Sequence, residues 1–419
     1  MPPTYSTLNH PLRVPLAAEI HSRPFLQLGE RETVSHFAIF GGAAPQETLE
    51  ALCAHFGVAA PGPQASYFFH DFGRFRLKWE RHTEFATYTF AHSPDSVRDV
   101  AATFARTPRH QLPEAWLLGL AGSVMVAADL VLGPAAELSR QSVHEHFDER
   151  MRVGGHVMTG GELWTDFDIQ ADGISRFLVR DVDMRARQGS RLVQRVLEIE
   201  TYRMMALLGL PVAQEAGAML NQMEEELSAL TSAMVEEPSA EEALLDQITR
   251  LAARMEKLAL ENTYRFAASK AYFSLVNARI EELREQRVEG VPTVGEFMDR
   301  RLRPAMNTCE AIAARQDALA RRIADSNDLL RTNQNRRILQ SMNARAAQQL
   351  HLQQAVEGLS VAAISYYVIG LLSYAGKAAK VAGVALNPEL AAGVLVIPVV
   401  LAVRAGLRRM HQRMPAAAH

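Results

Sequence analysis

Apolar positions follow three different rhythms along this chain of 419 residues. In its first part, alternating or β-rich stretches at 34–40, 67–72, 75–79, 85–90 and 124–132 predict strands. Two further strands, 162–169 and 174–182, are joined at Asp172-Gly173, a dipeptide that favours a hairpin turn. Ser93-Pro94 predicts a helix through Phe104, with serine as N-cap and proline in the first turn. A helical stripe of Val193, Val196, Leu197, Met204, Leu207 and Leu208 follows over 191–209 and stops at Leu210-Pro211.

The second rhythm is heptad-like. Pro238 marks a break, and Ser239 with Glu242 has the spacing of a capping box. The stripe then runs Leu244, Ile248, Leu251, Met255, Leu258 and Asn262, slips by one residue, and resumes at Phe266, Ser269, Phe273, Val276, Ile280 and Leu283. Alternating steps of four and three over this length predict a long helix, through 287, with a coiled-coil seam. Gly290 and Pro292 end it, and Thr293 with Glu296 opens the next helix. Beyond Pro304 the stripe is Cys309, Ile312, Gln316, Leu319, Ile323, Ser326 and Leu330. Two such helices separated by a short break predict a helical hairpin. No proline or glycine intervenes between Pro304 and Gly358, so the second helix is expected to continue unbroken. Its polar row, Asn333, Gln334, Asn335, Gln348, Gln349, Gln353 and Gln354, is punctuated by Ile338, Met342, Leu350 and Leu352. We read that row as an interface between subunits.

The third rhythm is continuous apolarity. Residues 358–376 carry no charge and are apolar on every face, enough for a membrane-spanning helix. A second run, 390–403, is short for a span but reaches the needed length when extended back to 384. Arg331, Arg336, Arg337 and Arg345 flank the pair on one side, and Arg404, Arg408, Arg409 and Arg413 on the other. By the positive-inside rule both flanks are cytoplasmic and the pair is a hairpin. The first 28 residues lack the apolar core of a signal peptide, so the bulk of the chain is expected in the cytoplasm.

The expected architecture is therefore an α+β cytoplasmic head over 1–190 and connecting helices over 191–237. A long helical hairpin or coiled-coil stalk follows over 238–357, then a membrane hairpin over 358–407 with spans near 358–376 and 384–403. A basic tail, 408–419, ends the chain.

Composition narrows the chemistry. Apolar residues make up 48% and charged residues 22%, ordinary globular usage that excludes a wholly disordered or collagen-like chain. Lys and Arg number 44 against 47 acids, a net charge of -3, which gives no global electrostatic case for nucleic acid. Cys53 and Cys309, the two cysteines, exclude a disulfide framework and a four-cysteine zinc site.

Candidate chemical groups are few. His144-Glu145-His146 would present two imidazoles to a metal only on a strand, and no third ligand stands at a recognisable offset. The Gly154-Gly155 and Gly160-Gly161 pairs lack the strand–helix context of a phosphate loop. Cys309 occupies a seam position and reads as a small buried hydrophobe. The proline-stiffened segment from His10 to Pro24 places Arg13, His21 and Arg23 where they would grip an anionic group. The alternative is that Arg13, Arg23 and Glu19 pin the N-terminal segment to the head. No catalytic residue, cofactor site or metal site is predicted, and an enzyme is not the expected reading.

Five segments carry a family resemblance: His10 to Pro24, VLEIETYRMMALLGLPVA from Val196, ELREQRVEG from Glu282, EFMDRRLRPAMNTC from Glu296 and LQQAVEGLSVAAISYYVIGLLSY from Leu352. Together they resemble the bacterial domain-of-unknown-function 3422 family, whose members are described as uncharacterised membrane-anchored proteins. The resemblance spans nearly the whole chain. It supports the bilayer reading and carries no catalytic residues; with the flanking arginines, the expected location is the bacterial inner membrane, head and C-terminus in the cytoplasm. The expected partners are the lipid bilayer and further copies of the chain, with no nucleic acid and with any small-molecule or ion ligand unidentified. The overall plan also resembles the CorA-type magnesium transporters, so a two-span cation channel is the alternative. Ser373 to Lys377 stands where their Gly-Met-Asn signature would be, and a lysine at a pore mouth repels cations.

Overall fold

The computed structural model describes residues 8–14, 16–17, 24–41, 44–147, 152–236, 241–381 and 388–413. The chain divides into two compact units, one of Met1–Ala233 with Gln247–Ala324, the other of Met234–Asp246 with Asp325–His419.

The first unit is built on one mixed sheet. Its described strands are β1 (Glu32–Phe40), β2 (Tyr67–Asp71), β3 (Arg76–Arg81), β4 (Phe85–His92), β5 (Val124–Pro134), β6 (Val153–Val157), β7 (Gly161–Thr165), β8 (Ser175–Asp181) and β9 (Gln286–Arg287). Their order is β2-β3-β4-β1-β5-β8-β7-β6-β9. The β5–β8 pair is parallel, with Leu130 opposite Phe177, and the neighbouring pairs are antiparallel. Helix α5 (Gln188–Leu207) packs on one face, where Val193, Val196 and Leu197 join Val34, Leu130 and Leu132 in a common core. The opposite face is covered by α1 (Pro45–His55) and α3 (Glu114–Gly119), which bury Leu77, Trp79, Tyr88 and Phe90 with Leu52 and Trp116. Short helices α2 (Val100–Phe104) and α4 (Arg140–His146) close a third cluster around Phe104, Leu138, Trp164 and Leu178. The period-2 pattern is thus sandwiched: odd positions of β3 face one layer and even positions the other.

The helix expected from Ser93 begins later, at Val100, with Asp99 accepting the Ala102 N–H at 2.9 Å. The Ser93 side chain turns instead toward β1, its hydroxyl donating to Glu32 Oε1 at 2.8 Å. The turn at Asp172-Gly173 does join antiparallel strands, with Gly173 at φ +79°, but the strands end at Thr165 and begin at Ser175, leaving a longer loop. Leu210-Pro211 does not end the helical run. It lies in the first turn of α6 (Gly209–Glu236), where the missing proline N–H has no intrahelical partner to lose.

Helices α6, α7 (Glu241–Leu283) and the first part of α8 (Val294–Val381) pack together in this unit. The Arg315 guanidinium reaches Glu224 Oε1 at 2.8 Å and Asn221 Oδ1 at 2.6 Å, and Arg254 reaches Glu226 at 2.6 Å. The stripe read from the sequence is the buried one: Ile248, Leu251, Met255, Leu258, Asn262, Phe266, Ser269, Val276 and Leu283 on α7, with Cys309, Gln316, Leu319 and Ile323 on α8. Asn262 donates to Gln316 at 3.5 Å, so the two amides of the seam face each other.

The expected extension of α7 to 287 is corrected at its end. Arg284 turns to φ +49°, and Gln286–Arg287 leaves the helix to pair with β6. Gly155 permits that approach, since a Cβ there would stand 2.8 Å from the Gln286 carbonyl oxygen. The cap of α8 forms as expected, Glu296 N–H donating to Thr293 Oγ1 and Thr293 N–H to Glu296 Oε2, both at 3.1 Å. Glu285 adds a second acceptor, taking the Val294 and Gly295 N–H groups at 2.7 and 2.9 Å.

In the second unit, α8 continues unbroken to Val381, past the expected end at Gly376, and α9 covers Pro388–Arg413. Helix α8 contains a stretch long and apolar enough to cross a membrane; the apolar part of α9, Gly393–Leu407, is shorter. Ser239 and its capping partners lie outside the described residues, apart from Glu242 in α7.

Candidate functional site

A cavity of about 300 Å³ lies in the first unit between the sheet and α5. Strands β1, β3 and β4 supply the sheet wall through His36, Lys78, Glu80, Thr87 and Thr89, and the turn between β3 and β4 adds His82. Helix α5 supplies the opposite wall through Val193, Gln194, Leu197, Glu198 and Thr201, and Arg279 enters from α7. The segment before β1 contributes Leu26 and Leu28, the latter held by its N–H donating to Ser190 Oγ at 2.9 Å.

Strand alternation explains why polar groups end up here. Leu77 and Trp79 take the apolar layer of β3, so Lys78 and Glu80 must point the other way. That other face is covered by α5 instead of water. Lys78 is only 4% exposed, and its Nζ lies 2.9 Å from Glu80 Oε2. Arg279 is held between Glu198 and Glu282, at 2.8 Å from the latter. His36 sits deeper. Its Nδ1 is 2.8 Å from Thr89 Oγ1 and its Nε2 3.0 Å from Thr201 Oγ1, so both ring nitrogens are satisfied by hydroxyls. Burial, and then the charges of Lys78 and His82, push its pKa down to about 3. His36 is therefore a neutral tie between sheet and helix, and Lys78 is the cation presented to the cavity.

Two recesses adjoin this cavity. One shares Gln194, Glu198 and Arg279 with it and adds Phe25, Arg191, Arg195 and Glu282. The other shares His82, Phe85 and Tyr202 and adds Arg81, Thr83, Tyr272 and Leu275. A buried lysine with a carboxylate beside it, hydroxyls and an apolar wall can bind and orient a small polar molecule.

Arg13 is exposed and its Nη1 donates to Asn9 Oδ1 at 2.6 Å, while His21 and Arg23 lie outside the described residues. His144 and His146 are on α4, a helix, where the spacing of two does not place them side by side. His144 Nδ1 meets Arg152 at 2.5 Å, and His146 stacks on Phe104 with ring centroids 4.6 Å apart. Burial, helped by Arg176, lowers the His146 pKa to about 4. Gly154 and Gly155 lie in β6, where a Cβ on Gly154 would stand 2.1 Å from the Leu163 carbonyl oxygen. Cys53 and Cys309 are buried free thiols, and burial pushes both thiol pKa values up. Among the described residues no group of three His, Cys, Asp or Glu is placed to hold a metal ion.

A family model described as "Protein of unknown function (DUF3422)" matches residues 8–414. No curated protein and no solved structure matches the chain.

Proposed function

The chain belongs to the DUF3422 family of proteins of unknown function, and from that premise we propose that it is a membrane-anchored binding protein for a small polar molecule. The observation that carries the reading is Lys78, a cation almost wholly removed from water yet lining a cavity of about 300 Å³. Burying a lysine is costly unless its charge does something, and one carboxylate neighbour leaves it hydrogen-bonding capacity for a ligand.

The anchor is the apolar part of α8, with a hairpin completed by α9. Leu359, Tyr366, Tyr367, Leu371 and Tyr374 stand exposed there, a run of apolar surface that suits a bilayer better than water. The arginines on both flanks put the α+β unit and the C-terminal end on the cytoplasmic side. Ile338, Met342, Leu352 and Val356 are also exposed, in the frame of a 3.5-residue repeat whose two intermediate positions are Arg345 and Gln349. That row supports self-association through a coiled-coil seam. A two-span cation channel draws no comparable support: Lys377, with its ammonium 5.8 Å from the Tyr374 ring, occupies the expected pore mouth.

The test is thermal unfolding of the full chain in detergent against a panel of small metabolites. Binding in this cavity predicts at least one stabilising compound whose effect disappears in Lys78→Met. Stabilisation that persists undiminished in that variant would place the ligand elsewhere.

A further inference from the structure

Strand register makes the sheet wall of the cavity a grid of side chains. Lys78, Thr89 and His36 lie side by side across β3, β4 and β1, and Glu80, Thr87 and Ala38 form the next row. Lys78 and Thr87 are therefore diagonal neighbours, with Cβ atoms roughly 7 Å apart. Most of this wall donates. The Lys78 ammonium has three N–H groups, and among the described residues Glu80 is the ion-pair partner it meets. Thr87 is 5% exposed and lines the cavity; its hydroxyl has no hydrogen-bond partner among the described residues, and its oxygen is not sealed from solvent. A neutral imidazole has a single N–H, so of Thr89 and Thr201 one accepts from the His36 ring and the other donates to it. The hydroxyl that accepts keeps its own proton for a further acceptor.

The charge balance has the same sign. Lys78 is offset by Glu80 and Arg279 by Glu198, and His82 adds a positive charge whenever it is protonated. That charge is felt at His36, whose pKa is lowered by burial first and then by Lys78 and His82. The adjoining recess sets Arg191 and Arg195 against Glu282, and Arg191, exposed on α5, meets no carboxylate among the described residues. Donors and a positive balance call for an anion. The cavity is partly open to water, so that anion need not shed its whole hydration shell on entering. Leu28, Val34, Val193 and Leu197 add apolar lining. The volume of about 300 Å³ is at the small end of ligand pockets and limits the occupant to metabolite size.

We infer that the cavity binds a small monocarboxylate with an aliphatic or aromatic body, its two carboxylate oxygens bridging the Lys78 ammonium and the Thr87 hydroxyl. This rests on the reading of the cavity as a ligand site and adds the chemical class of the ligand. Each carboxylate oxygen receives a donor that the folded chain leaves unused, and the apolar body lies along Val193 and Leu197 of α5. Glu80 stands beside the site, but Lys78 offsets its charge, and His82 supplies the cation that the bound anion balances.

The test measures thermal unfolding and calorimetric binding of the full chain in detergent with 4-methylpentanoate and phenylacetate. Beside them run 4-methylpentanamide and phenylacetamide, which keep the body and lose the charge, and acetate, which keeps the charge and loses the body. The expected result is binding of at least one of the two larger carboxylates, with its amide and acetate each weaker by roughly tenfold or more. Thr87→Val, which keeps the shape and removes the hydroxyl, should weaken that binding by about tenfold, and Lys78→Met should abolish it. If Lys78→Met does not fold, Thr87→Val decides alone. An amide or acetate that binds as tightly as the larger carboxylate overturns the inference. So does a carboxylate that binds equally to wild type and Thr87→Val. If no carboxylate binds but another compound of the metabolite panel does, and Lys78→Met abolishes its effect, the class is wrong and the cavity reading stands. If nothing binds, both fall.

Discussion

Lys78 Nζ lies 2.9 Å from Glu80 Oε2, two positions along one strand, and both side chains line the cavity between the sheet and α5. Same-face pairs on exposed strands contribute little, but here both charges are largely withdrawn from water. Lys78→Met should therefore destabilise the protein by about 3 kcal/mol by leaving Glu80 unpaired. Lys78→Met/Glu80→Gln should recover most of that loss. Chemical denaturation of the three variants measures the coupling, and simple additivity would mean that the pair does not interact.

Acid should loosen the tie between sheet and helix. The His36 pKa falls from 6.5 to about 3 in the folded protein, so the unfolded chain takes up a proton first as pH drops. The stabilisation is complete above about pH 6.5 and is lost progressively as pH falls toward 3. Between pH 7 and pH 4 the loss from this group is roughly 3 kcal/mol. His36→Gln, which can still bond both threonine hydroxyls, should flatten that part of the profile. A profile of the same steepness in the variant would assign the effect to other groups.

The seam of α7 gives a paired comparison. Leu251 is 0% exposed and Leu260, nine positions along the same helix, is 72% exposed. Leu251→Asp should cost several kcal/mol, about 4 by analogy with other buried unpaired charges, whereas Leu260→Asp should change stability by less than about 0.5 kcal/mol. Equal melting temperatures for the two variants would show that the stripe does not form the core.

Much of this fold is legible in the sequence where a local pattern and its tertiary context agree. The alternation at β1, β4, β5 and β8, the Ile248-to-Leu283 stripe and the Thr293/Glu296 cap are such cases. The start of α2 is not: the Ser93 side chain turns to Glu32, some sixty residues earlier in the chain, and Asp99 caps the helix instead. Strand β9 depends on Gly155 letting a distant carbonyl approach. The cavity is the least legible feature. In Leu77-Lys78-Trp79-Glu80 the polar positions read as a solvent face, and only the placement of α5, more than a hundred residues later, turns that face inward. One signal was present: His36, Thr87 and Thr89 share the polar parity of neighbouring strands, too many for coincidence on strands central to a sheet.

The central claim is that the C-terminal helices hold a folded α+β unit at a bilayer, and fractionation of carbonate-washed membranes tests it most directly. The full chain should stay with the membrane pellet. A chain ended after Arg345, lacking the exposed apolar run from Leu359 to Tyr374, should move to the soluble fraction as folded protein. A truncated chain that still sediments with washed membranes, or a full chain that washes off, would contradict the account.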